Sequence, residues 1–312
     1  MSALTPPLQT PSTRWAFEAY QRVRPRLPIS ASTNVTPEFV PSLGAIADQF
    51  DGFIFDAFGV LNAGNTALPT AVARFHELQA MGKHCLILSN AATAPQQQLV
   101  KKYRHLGFPI TQEQLISSRM LVSDALAREK EQTWAVMAPA SAHADQLPCH
   151  SFVIANQTVK ANREKLDNAD AILMLSAQGW TEELQQSLTE SLHRRSRPVW
   201  VANPDLVAPR EKGLSLEPGH YAHRLIDATG RDTVFFGKPF RNAFDAAKNR
   251  LSHIPASRLL MVGDTLHTDI LGGRSSGIST MLVTAHGALK GLDVTSCIEL
   301  SGIVPDFIAP EI

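Results

Sequence analysis

The sequence predicts an α/β protein built on a doubly wound parallel sheet, and three observations carry that prediction. Short apolar strands alternate with helices over residues 53–106 and again over 233–284, the pattern of a parallel sheet covered by helices. Gly82 and Gly107 stand where two of those helices would stop. Asp56 closes the apolar run Phe53-Ile54-Phe55, with Gly59 close behind to permit a sharp turn. A carboxylate there would lie at the carboxyl edge of the sheet, where open α/β sheets put their ligand sites.

The elements follow in order. Residues 1–41 are rich in Pro, Ser and Thr and read as a partly ordered amino-terminal arm, although 15–23 carry enough apolar residues for a short docked helix. A strand at 53–55 precedes a helix over 68–81, a strand over 84–88 and a helix over 95–106. From about residue 133 the segments TWAVMA, AILMLS and PVWVAN read as strands separated by polar and helical stretches. They can extend the first sheet or build another. A closing run contains the strand TVFFGKP, a helix over 242–251, the strand RLLMVGD, a helix over 269–276 and the strand STMLVT.

Composition narrows the chemistry. The 312 residues are 44% hydrophobic, enough for a substantial core, and 29 basic residues balance 29 acidic ones. No global field draws such a chain to nucleic acid or anionic lipid, so a small-molecule partner is expected. The basic run from His193 to Arg197 reads as the solvated end of a helix. Cys85, Cys149 and Cys297 form no CxxC pair, and the 11 histidines show no HExxH spacing, which argues against a zinc site or a disulfide framework. No stretch approaches the ~18 apolar residues that read as a membrane span, and no signal-peptide pattern opens the chain. A cytoplasmic protein is expected.

Four strand ends present functional groups in sequence: Asp56 after FIF, Ser89-Asn90 after CLIL, Lys238 after TVFFG, and Asp264 after LLMVG with Asp269 about a helical turn on. Each has a plain explanation as a cap or a surface residue. Together they supply carboxylates for a hard cation, a hydroxyl and amides for phosphate oxygens, a lysine, and a further carboxylate to orient it.

In these motifs, DAFGVL, LSN, GKP and GDTLHTD, the chain resembles the haloacid dehalogenase superfamily. The long insertion between Ser89 and Lys238 and the segment VANPD resemble its subclass of sugar-phosphate, nucleotide and pyridoxal-phosphate phosphatases. The resemblance covers roughly residues 52–287. It implies a Rossmann-like hydrolase core, 42–128 and 233–312, with an inserted α/β cap over 129–232 through which a homo-oligomer can form. By it, Asp56 attacks phosphorus and binds Mg²⁺, Ser89 and Asn90 hold the phosphoryl group of a small phosphorylated substrate, and Lys238 stabilises its charge. Asp264 and the carbonyl of Phe58 complete the metal ligands, and Asp269 orients Lys238 or binds the metal through water.

Phe58 is a departure from that pattern. Phosphatases of this family carry a second aspartate two residues after the nucleophile to protonate the leaving alcohol, and a phenyl ring cannot transfer a proton. Such catalysis contributes ~10²–10⁴-fold, so alkyl phosphates should turn over slowly unless another group substitutes. A phosphometabolite-binding or regulatory protein with impaired turnover is therefore the alternative, and carbon–halogen cleavage, which needs no such proton, a third. Asn203 and Asp205 sit on a cap loop where they could recognise a substrate hydroxyl or amine, although Asn-Pro-Asp is equally a good turn.

Overall fold

A computed structural model describes residues 10–29, 36–154, 159–210 and 213–312. Its larger sheet has seven strands, all parallel, in the order Glu38–Phe39, Phe307–Ala309, Ser279–Val283, Leu259–Gly263, Gly52–Phe55, His84–Ser89 and Leu115–Ser117. Alternation along each strand separates the two layers that cover it. Phe53 and Phe55 join one apolar layer with Leu260, Val262 and Met281, while Ile54 and Met261 point into the opposite one with Phe244 and Ala247 of the helix Arg241–Arg250. These strands are buried throughout, as expected of a parallel sheet with both faces covered.

The segments TWAVMA, AILMLS and PVWVAN do not extend this sheet. They form the middle of a second parallel sheet of five strands, ordered Val234–Phe235, Val199–Val201, Ala171–Met174, Thr133–Met137 and His150–Ile154. The edge strand His150–Ile154 has mostly half-buried side chains and little apolar contrast, which is why its sequence does not announce it. An antiparallel hairpin, Val207–Arg210 with Gly213–Leu216, projects from this second unit. Around the basic run, Arg194 pairs with Asp167 at 2.9 Å. Arg197 is buried and donates to Ser191 Oγ at 2.5 Å, so the run is not wholly solvated: its last arginine ties two helices together.

Of the arm expected over 1–41, residues 1–9 and 30–35 lie outside the described residues. The helix Thr13–Val23 is capped by Ser12, whose Oγ accepts the Trp15 N–H. Ala16, Phe17, Ala19, Tyr20 and Val23 are buried on one face of it, an amphipathic spacing. That face is shared. It packs on Leu266, Ile270 and Ile308 of the larger unit and on Leu206, Val207 and Leu214 at the hairpin. Among the described residues, no helix is long and apolar enough to cross a membrane.

Candidate active site

Asp56 follows Gly52–Phe55, Ser89 ends His84–Ser89, and Asp264 follows Leu259–Gly263. These strands are parallel neighbours, so their three groups emerge at one edge, at the point where the chain turns from one side of the sheet to the other. Lys238 arrives from the other unit, just after Val234–Phe235 on the second sheet. Its ammonium pairs with Asp56 Oδ1 and lies 2.7 Å from Asp269 Oδ1. Burial works against the lysine's charge, but Asp269 and then Asp56 outweigh it, and its pKa is raised.

Asp269 sits in a single π-helical turn, Leu266–Ile270, rather than in the regular helix expected over 269–276, which is confined to Leu271–Ser275. The wider turn is a recurrent feature of functional sites. Here it lets Asp269 Oδ2 accept the Thr265 N–H at 3.1 Å while Oδ1 meets Lys238. Asp264 is held by the Ala288 N–H at 2.7 Å and the Thr265 hydroxyl at 3.0 Å. Burial, and then the neighbouring Asp56 and Asp269, raise its pKa well above the ordinary aspartate range. Two glycines make room for it. A Cβ at Gly59, whose φ is +87°, would fall 2.5 Å from Asp264 Oδ2, and one at Gly287 would fall 2.0 Å away.

Asp56, Asp264 and Asp269 each offer an oxygen within 4.8 Å of the others. Among the described residues one buried ammonium, Lys238, faces these three carboxyl groups, so full ionisation would leave surplus negative charge in a desolvated place, which is the penalty that raises Asp264. An all-oxygen donor set with that surplus suits a small hard cation, and such an ion would relieve the penalty on Asp264. The side chain of Asp56 keeps 13% of its exposure while that of Asp269 keeps none. Asp56 is therefore the carboxylate of that pair that a ligand can approach.

Above the cluster lies a cavity of about 280 Å³ whose walls include Asp56, Phe58, Ser89 and Lys238 from the predicted site and Asn203 and Asp205 from the segment after the second sheet. The Asn90 side chain is spent on architecture. Its Oδ1 accepts the Lys238 N–H at 2.7 Å, and its Nδ2 donates to the Lys238 carbonyl at 2.9 Å and to Asp205 Oδ1 at 2.8 Å. Asn203 is likewise engaged: its Oδ1 accepts the Asp205 N–H at 3.0 Å and its Nδ2 donates to Glu217 at 3.1 Å. Gly237 allows the two units this close, since a Cβ there would fall 2.2 Å from Ser118 Oγ and 2.5 Å from Asn90 Oδ1. Asp205 is half-buried, and burial pushes its carboxyl up to about 8, against the pull of Lys238.

The lining residues that the sequence does not mark as site residues include Tyr20, Lys102 and Glu217. The Tyr20 hydroxyl accepts the Leu206 N–H at 3.1 Å. Lys102 Nζ lies 4.7 Å from the centre of the Phe58 ring, with the Arg210 guanidinium 5.5 Å from it. No local pattern marks Tyr20, whose partner lies 186 residues away.

Comparison with known proteins gives a consistent picture. Residues 53–148 match the family model for a haloacid dehalogenase-like hydrolase, and residues 235–310 match a second model described as HAD-hydrolase-like. The chain is 27% identical over 301 residues to the glycerol-3-phosphate phosphatase of Gallus gallus, covering 86% of this chain and 91% of that one. It is 25% identical over 240 residues to the 5′-nucleotidase YutF of Bacillus subtilis, covering 75% and 87%. A solved structure from Cytophaga hutchinsonii, described as a possible sugar phosphatase, superposes with a TM-score of 0.74 at 27% identity, over 89% of this chain and 98% of that one.

Proposed function

The chain belongs to the haloacid dehalogenase-like hydrolases, and from that premise we propose that it hydrolyses the phosphate ester of a small metabolite through a phosphoaspartate on Asp56. The observation that carries this reading is the meeting of Asp56, Lys238 and Asp269 beside Asp264 at the floor of one cavity. Relatives named as phosphatases support the same reaction class.

Phosphoryl transfer asks a protein mainly for positioning and charge neutralisation. Asp56 is the nucleophile: it forms a bond to phosphorus as the ester oxygen departs, and water then cleaves the acyl phosphate. Ser89 offers its hydroxyl to a phosphoryl oxygen. Lys238, fixed by Asp269, balances charge on the phosphoryl group and on Asp56. Asp56, Asp264 and the Phe58 carbonyl would hold Mg²⁺, which when bound supplies Lewis-acid neutralisation of the phosphoryl oxygens. The Asn90 side chain keeps Lys238 in register with the cavity rather than contacting substrate.

Asp56→Asn keeps the shape of the side chain and removes the nucleophile, so hydrolysis of 4-nitrophenyl phosphate should fall to background. Chelation of divalent cations should do the same to the wild type, with recovery on adding Mg²⁺. Undiminished turnover in Asp56→Asn would overturn the assignment. A second reading, a phosphometabolite-binding protein with impaired turnover, is favoured by the phenyl ring at position 58. It predicts Mg²⁺-dependent binding of phosphate esters that are not consumed.

A further inference from the structure

With Phe58 in the acid–base position, the leaving alcohol needs its proton from elsewhere, and the cavity wall narrows the candidates. Among the described residues, no histidine lines the cavity. Glu217 is occupied by Arg210 at 2.6 Å, Ser215 at 2.6 Å and Asn203 at 3.1 Å. Tyr20 is buried, its hydroxyl is taken up by Leu206, and its pKa is raised well above the usual tyrosine value. Asp264 and Asp269 are committed to the acidic cluster. Asp205 is left.

We propose that Asp205 is the general acid and base of this site, donating its proton to the departing oxygen and recovering one from the water that cleaves phospho-Asp56. The inference deepens the phosphatase reading and rests on it. Its geometry is specific. Asp205 Oδ1 accepts from Asn90 Nδ2, while among the described residues nothing hydrogen-bonds to Oδ2. Oδ2 is thus the oxygen able to carry a proton into the cavity. The backbone at Asp205 is also fixed, its own N–H donating to Asn203 Oδ1 and the next, of Leu206, to the Tyr20 hydroxyl, which is the preorganisation that proton transfer rewards. Burial, by holding this carboxyl up to about 8, keeps most of it protonated at neutral pH, as a group that must begin as an acid requires.

The steps balance. In the first, Asp56 bonds to phosphorus, the P–O bond to the alcohol breaks, and the Oδ2 proton passes to the alcohol oxygen, leaving Asp205 a carboxylate. In the second, Asp205 takes a proton from water as the water oxygen bonds to phosphorus and the bond to Asp56 breaks. Phosphate leaves, and both aspartates return to their starting states.

Asp205→Asn, which keeps an acceptor for Asn90 and loses the transferable proton, tests this on 4-nitrophenyl, phenyl and ethyl phosphate with Mg²⁺ present. Ethyl phosphate turnover should drop by ~10²-fold or more, while 4-nitrophenyl phosphate, whose leaving group needs little protonation, should lose less than about tenfold. The comparison is a ratio within one protein, so a partly folded variant scales all three esters alike and cannot mimic it. Equal losses across the series, or no loss on ethyl phosphate, would overturn the role of Asp205. A wild type that turns over none of the three would overturn the phosphatase reading and the proposal with it.

Discussion

Two cations lie over the Phe58 ring, Lys102 at 4.7 Å and Arg210 at 5.5 Å from its centre, so the aromatic group has a cation–π role in this wall of the cavity. That setting decides what a carboxylate would do there. Phe58→Asp would place an anion beside both cations, which lower its pKa and keep it ionised. It should serve poorly as an acid, and ethyl phosphate turnover should rise by less than ~10²-fold, the lower end of what such catalysis provides. Steady-state rates on the aryl and alkyl esters would measure this, and a gain near 10³ would show that the cations do not hold the new group. The convergence of Asp56, Ser89 and Asp264 was legible in the sequence because each closes a short apolar strand and strand ends in a parallel sheet lie at one edge. Lys238 instead reaches them from the end of a strand on the second sheet, and Asp269 from the turn after Asp264. What Asn90, Asn203 and Asp205 do was not legible, because their partners are each other, Glu217 and the backbone of Lys238.

The helix Pro218–Thr229 buries two histidines on its inner side, and His223 stacks on Phe235 with ring centres 5.1 Å apart. Burial pushes His223 down to about 3 and His220 down to about 4. Each is therefore neutral in the folded protein but takes a proton near pH 6.5 once unfolded. A depressed histidine pKa means that the unfolded state binds the extra proton, so its contribution to stability is lost as pH falls from about 6.5 towards 3. His223→Phe removes one such site. Urea unfolding at pH 7 and pH 4 should show the wild type losing ~3 kcal/mol more than the variant over that interval, at ~1.4 kcal/mol per pH unit. Equal losses would mean that His223 is not buried neutral. The long helices and buried strands were readable from period and glycine stops. The strands Glu38–Phe39 and Phe307–Ala309 were not, since two or three residues carry no period and only their pairing defines them.

Across the molecule, the helix Thr13–Val23 and the turn after it fasten the two units together. On one side Gln21 donates to the Leu300 carbonyl at 2.7 Å and accepts from His267 at 2.7 Å. On the other, Arg26 pairs with Asp227 and the Tyr20 hydroxyl holds Leu206. Arg26→Ala with Tyr20→Phe removes only the second set. Amide exchange in the hairpin strands Val207–Arg210 and Gly213–Leu216 should quicken about fivefold, as expected for ~1 kcal/mol of lost hydrogen bonding, while Leu259–Gly263 should be unaffected. Unchanged exchange in the hairpin would show that the helix does not restrain it.

The seat of that helix is also a matter of timing. Its apolar face rests on Ile298, Ile303 and Ile308, the bond from Gln21 to Leu300 spans 279 residues, and Glu38–Phe39 pairs with Phe307–Ala309. A nascent chain makes the helix before the partners it packs on, and its seat is not complete until residues near 308 have left the ribosome. Contacts of such long sequence separation are entropically expensive and form slowly. The helix that brings Tyr20 to the cavity wall is thus seated by segments far along the chain from it, so this wall of the site is finished only when distant parts of the sequence have met.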